Sequence, residues 1–365
     1  MKFKVIEHKE IFRPSTGAQA YYPKMVKLSE NEYLCSFIAS KEMESIDSHT
    51  EILRSVDCGK TWINEGPVVP NCLDRENFTE IGFIDKNGDG KLIYTAARWR
   101  NTTPPLPLIN PSTIGMRDNE MLMRQSDDSG KTWSASGIVP SILDVPVETP
   151  SSPFFFNDNS LMLPFATWKK WDGSCPYGHT IYAIQTDKTM SKWSAPVEVI
   201  KDPTATIGFW EPRISMLNKS TLIATCWAHD WKTDVDIQNH FAVSDDKGRS
   251  WKGPFKSKVN GQTGFPLFLE ENLILFVYNH RKNPVGIRGQ IAEIRNEEWK
   301  TIFDGEIWSP ANKKASAISK KEYGVTNFQF GMPRALFIAE KEIMVTYWAV
   351  ENGRSGINCS IIEME

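Results

Sequence analysis

Ser55-Val56-Asp57-Cys58-Gly59-Lys60-Thr61-Trp62 returns as Ser126-Asp127-Asp128-Ser129-Gly130-Lys131-Thr132-Trp133, and again as Ser244-Asp245-Asp246-Lys247-Gly248-Arg249-Ser250-Trp251. Each copy reads S-x-D-x-G-x-[TS]-W. These are the residues of a tight hairpin. Asp and Ser side chains bond nearby backbone N–H groups, Gly supplies a positive φ, and Trp is a large apolar plug with one N–H to satisfy. The gap between the second and third copies leaves room for a decayed one, and Gln185-Thr186-Asp187-Lys188-Thr189-Met190-Ser191-Lys192-Trp193 stands there. A further remnant, Asn296-Glu297-Glu298-Trp299, follows the third copy. An internal repeat sets the architecture before any other signal is read.

A second repeat defines the unit. Six times the chain shows two apolar runs joined by a short polar turn, at 23–37, 81–97, 153–166, 212–228, 266–278 and 333–348. Five of these six begin with Pro, which is tolerated as the first residue of a strand. Hairpins at a period of about 60 residues indicate sheets arranged radially, a β-propeller. The expected fold is all-β: six blades of four antiparallel strands, A to D, in one domain covering 1–365. The run Phe3-Lys4-Val5-Ile6 belongs to no blade of its own, and the last blade has strands only as far as 361–364. Pairing these two ends would close the ring and remove an open edge. Two stacked sandwiches fit six equal repeats poorly.

Composition narrows the function. A net charge of −3 and a pI near 6.1 give no global basic field, so nucleic acid is not an expected partner. The six Cys, at 35, 58, 72, 175, 226 and 359, show no metal-ligand spacing and read as free thiols, most of them buried. No metal or other cofactor is expected. The N-terminal residues carry no apolar run, so neither a signal peptide nor a membrane span is expected, and the chain reads as cytoplasmic. Its oligomeric state is not written in the sequence.

Propeller connectivity separates two faces. Strand A lines the axis, the C–D hairpins share one end with the A–B turns, and the B–C loops share the other end with the starts of the A strands. The Trp-bearing hairpins therefore read as structural, on the face away from any site. The other end collects Tyr21, Glu148, Trp210, Glu211, Arg213, Gln262 and Arg334 at strand starts, with Asp47, Arg98, His280 and Arg281 in the B–C loops. An ordinary solvated rim is the bland alternative, but such rims seldom carry so many Trp and His. The Pro-rich excursion 101–117, in the second B–C loop, is too long for a mere connection and reads as a wall of the site or a subunit contact.

Carboxyls, aromatic faces and arginines at one mouth point to glycoside hydrolysis. That reaction needs two carboxyl groups across one bond, and guanidinium groups hold an anionic substituent bidentately. Glu211 is the leading carboxyl, between Trp210 and Arg213; Glu148 occupies the same position one blade earlier, and Asp47 is a further candidate. Arg213, Arg281, Arg334, Trp210, His280, Arg98, Tyr21 and Gln262 are the candidate sugar contacts.

These residues resemble the sialidase superfamily, whose six blades carry this Asp box, and the resemblance covers nearly the whole chain. It implies an Asp acid/base in the first B–C loop, where Asp47 stands. It implies a Tyr nucleophile assisted by a Glu at the fourth blade, matched by Glu211, and three arginines on the sugar carboxylate, one matched by Arg281. The family's Y/F-R-I-P motif is here Tyr21-Tyr22-Pro23, without arginine. Trp227-Ala228-His229 stands where the second arginine belongs, and Gln329-Phe330-Gly331 offers no Tyr. The exo-acting arabinanases, a related propeller group, use two Glu on neighbouring inner strands, which Glu148 and Glu211 resemble better. The expected function is an exo-acting glycosidase on a terminal, neutral or acidic sugar. The alternatives are a non-catalytic carbohydrate-binding propeller, or a polysaccharide lyase using His280 and Arg281.

Overall fold

The six apolar hairpins of the sequence all form, and each opens a four-stranded antiparallel unit. The computed structural model describes residues 1–15, 17–69, 77–140, 143–148, 151–311 and 328–365, and Cys72 lies outside them. The chain begins with β1 (Phe3–Phe12). It continues with β2 (Gln19–Lys27), β3 (Tyr33–Ser40), β4 (His49–Ser55) and β5 (Ile63–Pro67), then β6 (Phe78–Lys86), β7 (Leu92–Arg100), β8 (Glu120–Ser126) and β9 (Gly137–Ile138). These eight, β2 to β9, form one sheet of two halves, whose ladders meet at a parallel bridge between His49 and Glu80. β10 (Phe154–Phe155), β11 (Leu161–Ala166), β12 (Ile181–Thr186) and β13 (Val197–Ile200) form the next sheet. β14 (Ile207–Met216), β15 (Leu222–Asp230), β16 (Val235–Ser244) and β17 (Lys252–Lys256) follow. β18 (Gly264–Glu270), β19 (Leu273–His280), β20 (Gly286–Arg295) and β21 (Glu298–Trp308) form another. β22 (Phe330–Phe337), β23 (Glu342–Glu351) and β24 (Arg354–Met364) complete the order, and β1 pairs with β24, Phe3 opposite Met364. No helix occurs among the described residues, so none is long and apolar enough to cross a membrane.

The first strands of successive sheets pack side by side, β2 beside β6, β14 beside β18, β18 beside β22 and β22 beside β2, while in the β10–β13 sheet it is the second strand, β11, that packs on β14. The second strands are covered on both faces. Every residue of β3 and β11 is buried, which explains their continuous apolar reading. Outer strands such as β5 are largely exposed. The prolines depart from expectation. Pro23, Pro212, Pro266 and Pro333 lie inside β2, β14, β18 and β22 rather than at their starts. At Pro23, Pro212 and Pro333 the strand bulges and frees the ladder from the missing N–H.

The repeated hairpins are built alike. Ser55 donates to Asp57 Oδ1 at 2.7 Å, Gly59 N–H donates to Ser55 Oγ at 2.8 Å, and the Thr61 hydroxyl donates to Asp57 Oδ2 at 2.6 Å. The same bonds recur around Asp128 and Asp246. The Thr61 hydroxyl and amide, with the Ser55 hydroxyl, hold the Asp57 carboxyl well below the usual range. Gly59, Gly130 and Gly248 take φ of 79°, 88° and 78°, where a Cβ is strained. Trp62, Trp133, Trp193, Trp251 and Trp299 each pack into a different apolar cluster. In the sheet that opens with β14, Met216 lies opposite Leu222 and Leu222 opposite Ser244. The hairpin that follows Ser244 is thus at the far end of β14 from Ile207.

Trp299 is 3 % exposed and donates to Gln290 Oε1 at 2.5 Å. Trp299→Ala is expected to cost about 3–5 kcal/mol of stability by opening a cavity, read from urea denaturation. A change under about 1 kcal/mol would show that the Trp is not a structural plug.

Candidate active site

Three inner strands share one local device. The ladder slips between Tyr21 and Lys24 in β2, between Trp210 and Arg213 in β14, and between Gly331 and Arg334 in β22. At each slip the residue before proline is left-handed: Tyr22 at φ 54°, Glu211 at 52° and Met332 at 52°. Non-glycine residues occupy this region at a cost, and such positions gather at functional sites. Two residues further on, each strand carries a cation: Lys24, Arg213 or Arg334. Arg213 and Arg334 are buried, and the Lys24 side chain is 12 % exposed.

Glu148 stands before β10, its N–H bonded to Ala166 O at 3.0 Å. Its Oε2 accepts the backbone N–H of Glu211 at 2.8 Å, which sets the carboxyl of Glu148 against the backbone of Glu211 in the next sheet, within reach of the Glu211 charge. Both residues are partly exposed. Burial and the charge of Glu211 push the Glu148 carboxyl well above its usual range. Burial also raises Glu211, but Arg213, Arg281 and Arg334 oppose it. Glu44, in the β3–β4 loop, joins them. Burial and the charge of Glu211 push it up to about 7, against a bond from the Tyr22 hydroxyl at 3.4 Å.

The cations are tied to one short segment. Arg213 donates to Ser151 Oγ at 2.6 Å, Arg334 to Ser152 Oγ at 2.6 Å, and Lys24 to the same Ser152 Oγ at 3.0 Å. Lys24 also pairs with Asp85 at 2.7 Å. Arg281, just past β19, donates to Gln262 Oε1 and Phe330 O and stacks 3.8 Å from the centre of the Phe328 ring. Gln262 donates to Asp236 Oδ2 at 2.6 Å, and the other oxygen of Asp236 lies 3.0 Å from His229 Nδ1. Burial lowers Arg334 to about 9, with Arg213 adding to the effect, and lowers Arg281 to about 10 against the charge of Glu211.

Aromatic rings wall one side. Trp210 donates to His179 Nδ1 at 3.0 Å, and its ring lies 5.8, 5.3 and 5.5 Å from those of Trp168, Trp227 and Trp231. Burial pushes His179 down to about 3, so it accepts as a neutral ring. The 101–117 excursion packs on this wall. Trp168 donates to Ile114 O at 2.8 Å, and Asn110 and Thr113 both donate to Trp171 O.

Other expected residues lie apart from the carboxyl pair. Asp47 is exposed, and its oxygens accept from Lys41 N–H and from Ser45 within its own loop; Glu44 is the carboxyl which that loop brings to the site. Arg98 pairs with Glu120 at 2.9 Å. His280 Nδ1 donates to Pro284 O at 2.6 Å, and Tyr21 is buried edge-on against Trp348. Sequence reasoning passed over Tyr22, Lys24, Glu44 and Asp85. The signal was present for the first two, because Tyr22-Pro23-Lys24, Glu211-Pro212-Arg213 and Met332-Pro333-Arg334 repeat one x-Pro-cation pattern.

No family model matches the chain, and no curated protein matches it. Solved structures do. A protein of unknown function from Dyadobacter fermentans DSM 18053 aligns with a TM-score of 0.76 at 18% identity, over 100% of this chain and 99% of its own. The α-L-arabinanase of Penicillium chrysogenum, solved with arabinobiose, aligns at 0.63 and 15%, over 99% and 98%. The NanB sialidase of Streptococcus pneumoniae aligns at 0.63 and 11%, over 97% of this chain and 70% of its own. At these identities the likeness is one of fold, an all-β fold that glycoside hydrolases also use.

A Cβ on Gly331 would stand 2.6 Å from Arg281 Nη2 and 3.2 Å from Trp348 Nε1. Gly331→Ala is expected to displace Arg281 and to cost about 1–3 kcal/mol through overpacking, measured by chemical denaturation. Wild-type stability would show that the arginine has room to move.

Proposed function

We propose that the chain is an exo-acting glycoside hydrolase on a single six-bladed β-propeller domain, with Glu148 and Glu211 as its paired carboxyls. Counting the eight-stranded sheet as two halves gives six four-stranded blades, and the β1–β24 pairing then joins the ends of the ring. The observation that carries the reading is the bond from Glu211 N–H to Glu148 Oε2, which sets side by side two glutamates whose carboxyls have unlike surroundings. Two titratable groups driven apart by their environments are the signature of an acid and a base.

Glu148, with no arginine bonded to it and a carboxylate neighbour, keeps its proton and gives it to the glycosidic oxygen as the C–O bond breaks. Glu211, facing Arg213, Arg281 and Arg334, works ionised on the anomeric carbon, directly or through water. On the direct route water then breaks the glycosyl–Glu211 bond and its proton returns to Glu148; through water, the proton passes to Glu211 as the hydroxyl joins the anomeric carbon, and exchange with solvent resets both carboxyls. The guanidinium groups also suit an anionic or hydroxyl-rich terminal sugar, and the ring of Trp168, Trp227 and Trp231 around Trp210 gives its apolar face a wall. Carboxyls at the axis, reached from one end, accommodate a chain terminus better than its middle. The arabinanase and sialidase neighbours act on carbohydrates, in keeping with this reading.

A screen of aryl glycosides and uronate polymers identifies the substrate. On it, Glu211→Gln and Glu148→Gln are expected to lower kcat by roughly 10²–10⁴-fold with the melting temperature held, whereas Asp47→Asn retains activity. Near-normal turnover of Glu211→Gln removes Glu211 from the chemistry, whereas sugar binding without turnover by the wild type favours a sugar-binding propeller. The profile of kcat/KM against pH is expected to be bell-shaped. Activity falls on the alkaline side as Glu148 loses its proton through its raised pKa, and on the acid side as Glu211 gains one. An alkaline limb unchanged in Glu148→Gln would assign that limb elsewhere.

A further inference from the structure

Tyr22 and Glu44 belong to the sheet half that opens with β2, yet they face the carboxyls of two other sheets. Tyr22 sits on the same left-handed bulge as Glu211. Its hydroxyl donates to Glu44 Oε1 at 3.4 Å, well beyond the roughly 2.7–2.8 Å of an ordinary O–H···O bond. Burial, with the charges of Glu44 and Glu211, holds the phenol well above its usual range, so at neutral pH it is a donor. Among the described residues no ion pair reaches Glu44: the groups that act on it are two acids, Glu211 and Glu148, and a phenol. A carboxyl kept for structure is normally matched by a cation. Here a strained backbone position, a stretched hydrogen bond and a cation-free carboxyl coincide, and both side chains are partly exposed. Strain held without a structural bond in return is the mark of a ligand-holding position.

We infer that Tyr22 and Glu44 receive two adjacent hydroxyl groups of the terminal sugar, opposite Glu148 and Glu211. One hydroxyl accepts from Tyr22 Oη and donates to Glu44 Oε1, entering the gap that the long bond leaves. Its neighbour bonds the second oxygen of Glu44, which accepts when the carboxyl is ionised and donates when it is protonated. The ligand class is therefore a ring with a vicinal diol. The inference rests on the glycosidase reading for the nature of the ligand, but not on which carboxyl performs the chemistry.

The test is calorimetric titration of the full chain with L-arabinose, D-galactose, D-glucuronate and N-acetylneuraminate, then with deoxy analogues of the tightest binder. Tyr22→Phe and Glu44→Gln are each expected to weaken that binder about tenfold or more, the worth of one good hydrogen bond. The deoxy analogue that lacks the hydroxyl held by Tyr22 should bind the wild type equally poorly and lose nothing further in Tyr22→Phe. Tyr22→Phe removes a single oxygen, so it keeps the test open if Glu44→Gln fails to fold. Wild-type affinity in both variants, or undiminished discrimination against the deoxy sugar, overturns the inference. If none of the four sugars binds the wild type, the carbohydrate reading falls and takes this inference with it. Binding that depends on Tyr22 alongside near-normal turnover of Glu211→Gln sinks the mechanism alone.

Discussion

Four cations, Lys24, Arg213, Arg281 and Arg334, are enclosed with four carboxyls, Asp85, Glu44, Glu148 and Glu211, and neither set could be buried without the other. An isolated charge in a low-dielectric interior is prohibitively costly, and a group left unpaired neutralises instead. The balance is uneven. Asp85 takes Lys24 at 2.7 Å, and the arginines act mainly on Glu211, which leaves Glu44 and Glu148 to lie against other acids. Those two are therefore the groups driven toward the protonated form. The field that splits the acids comes from how the cations are distributed, not from any single contact.

That distribution is written in the backbone. A proline inside an inner strand lacks the ladder N–H, and the bulge that absorbs it turns the preceding residue left-handed. The preceding side chain stands among the site's charged groups, and the cation two residues later is fixed beneath it. Three sheets repeat the device with three chemistries: a phenol at Tyr22, a carboxyl at Glu211 and a thioether at Met332. Residues sixty or more apart in the chain thus share one geometry. The strain they store is borne by strands whose neighbours, β3, β15 and β23, are mostly buried.

The sheet pairing and hairpin positions were legible because they rest on local, repeated chemistry. Asp57, Gly59 and Trp62 form a hairpin from their own side chains, and β3 or β11 reads as a strand from its apolar run. The strand starts were less legible. Pro23, Pro212 and Pro333 read as boundaries because a proline N–H deficit looks the same at a strand end and at a bulge. Glu148 and Glu211 meet because equivalent positions of adjacent sheets are neighbours, which the repeat discloses. Glu44 and Asp47 lie in one loop, and only the loop's own bonds, Ser45 and Lys41 to Asp47, turn one carboxyl inward and the other out. No periodicity encodes such a choice. Asp85 was missed because a charged residue near the end of an inner strand reads as solvated until the Lys24 opposite it is seen.

The arginines near Glu211 differ in how they are held, and that difference bears on the proposed chemistry. Arg281 is fixed through a chain of side chains: Gln262 holds it, Asp236 holds Gln262, and His229 lies against Asp236 within the aromatic wall. Arg213 is held by Ser151 and by the carbonyl of Pro212, Arg334 by the Ser152 hydroxyl, and two buried nitrogens of Arg334 have no hydrogen-bond partner among the described residues, against one of Arg281. A positive field that must stabilise a carboxylate without reorganising is best supplied by groups already locked in place. Arg281 meets that condition, and its link to His229 ties the field on Glu211 to the wall that would carry the sugar. In the proposed mechanism Arg334, with more donors unspent, is the guanidinium that would answer a charge arriving with the substrate. The cluster of like-charged residues would then divide into a fixed part, which sets the ionisation of Glu211, and an adaptable part for the ligand.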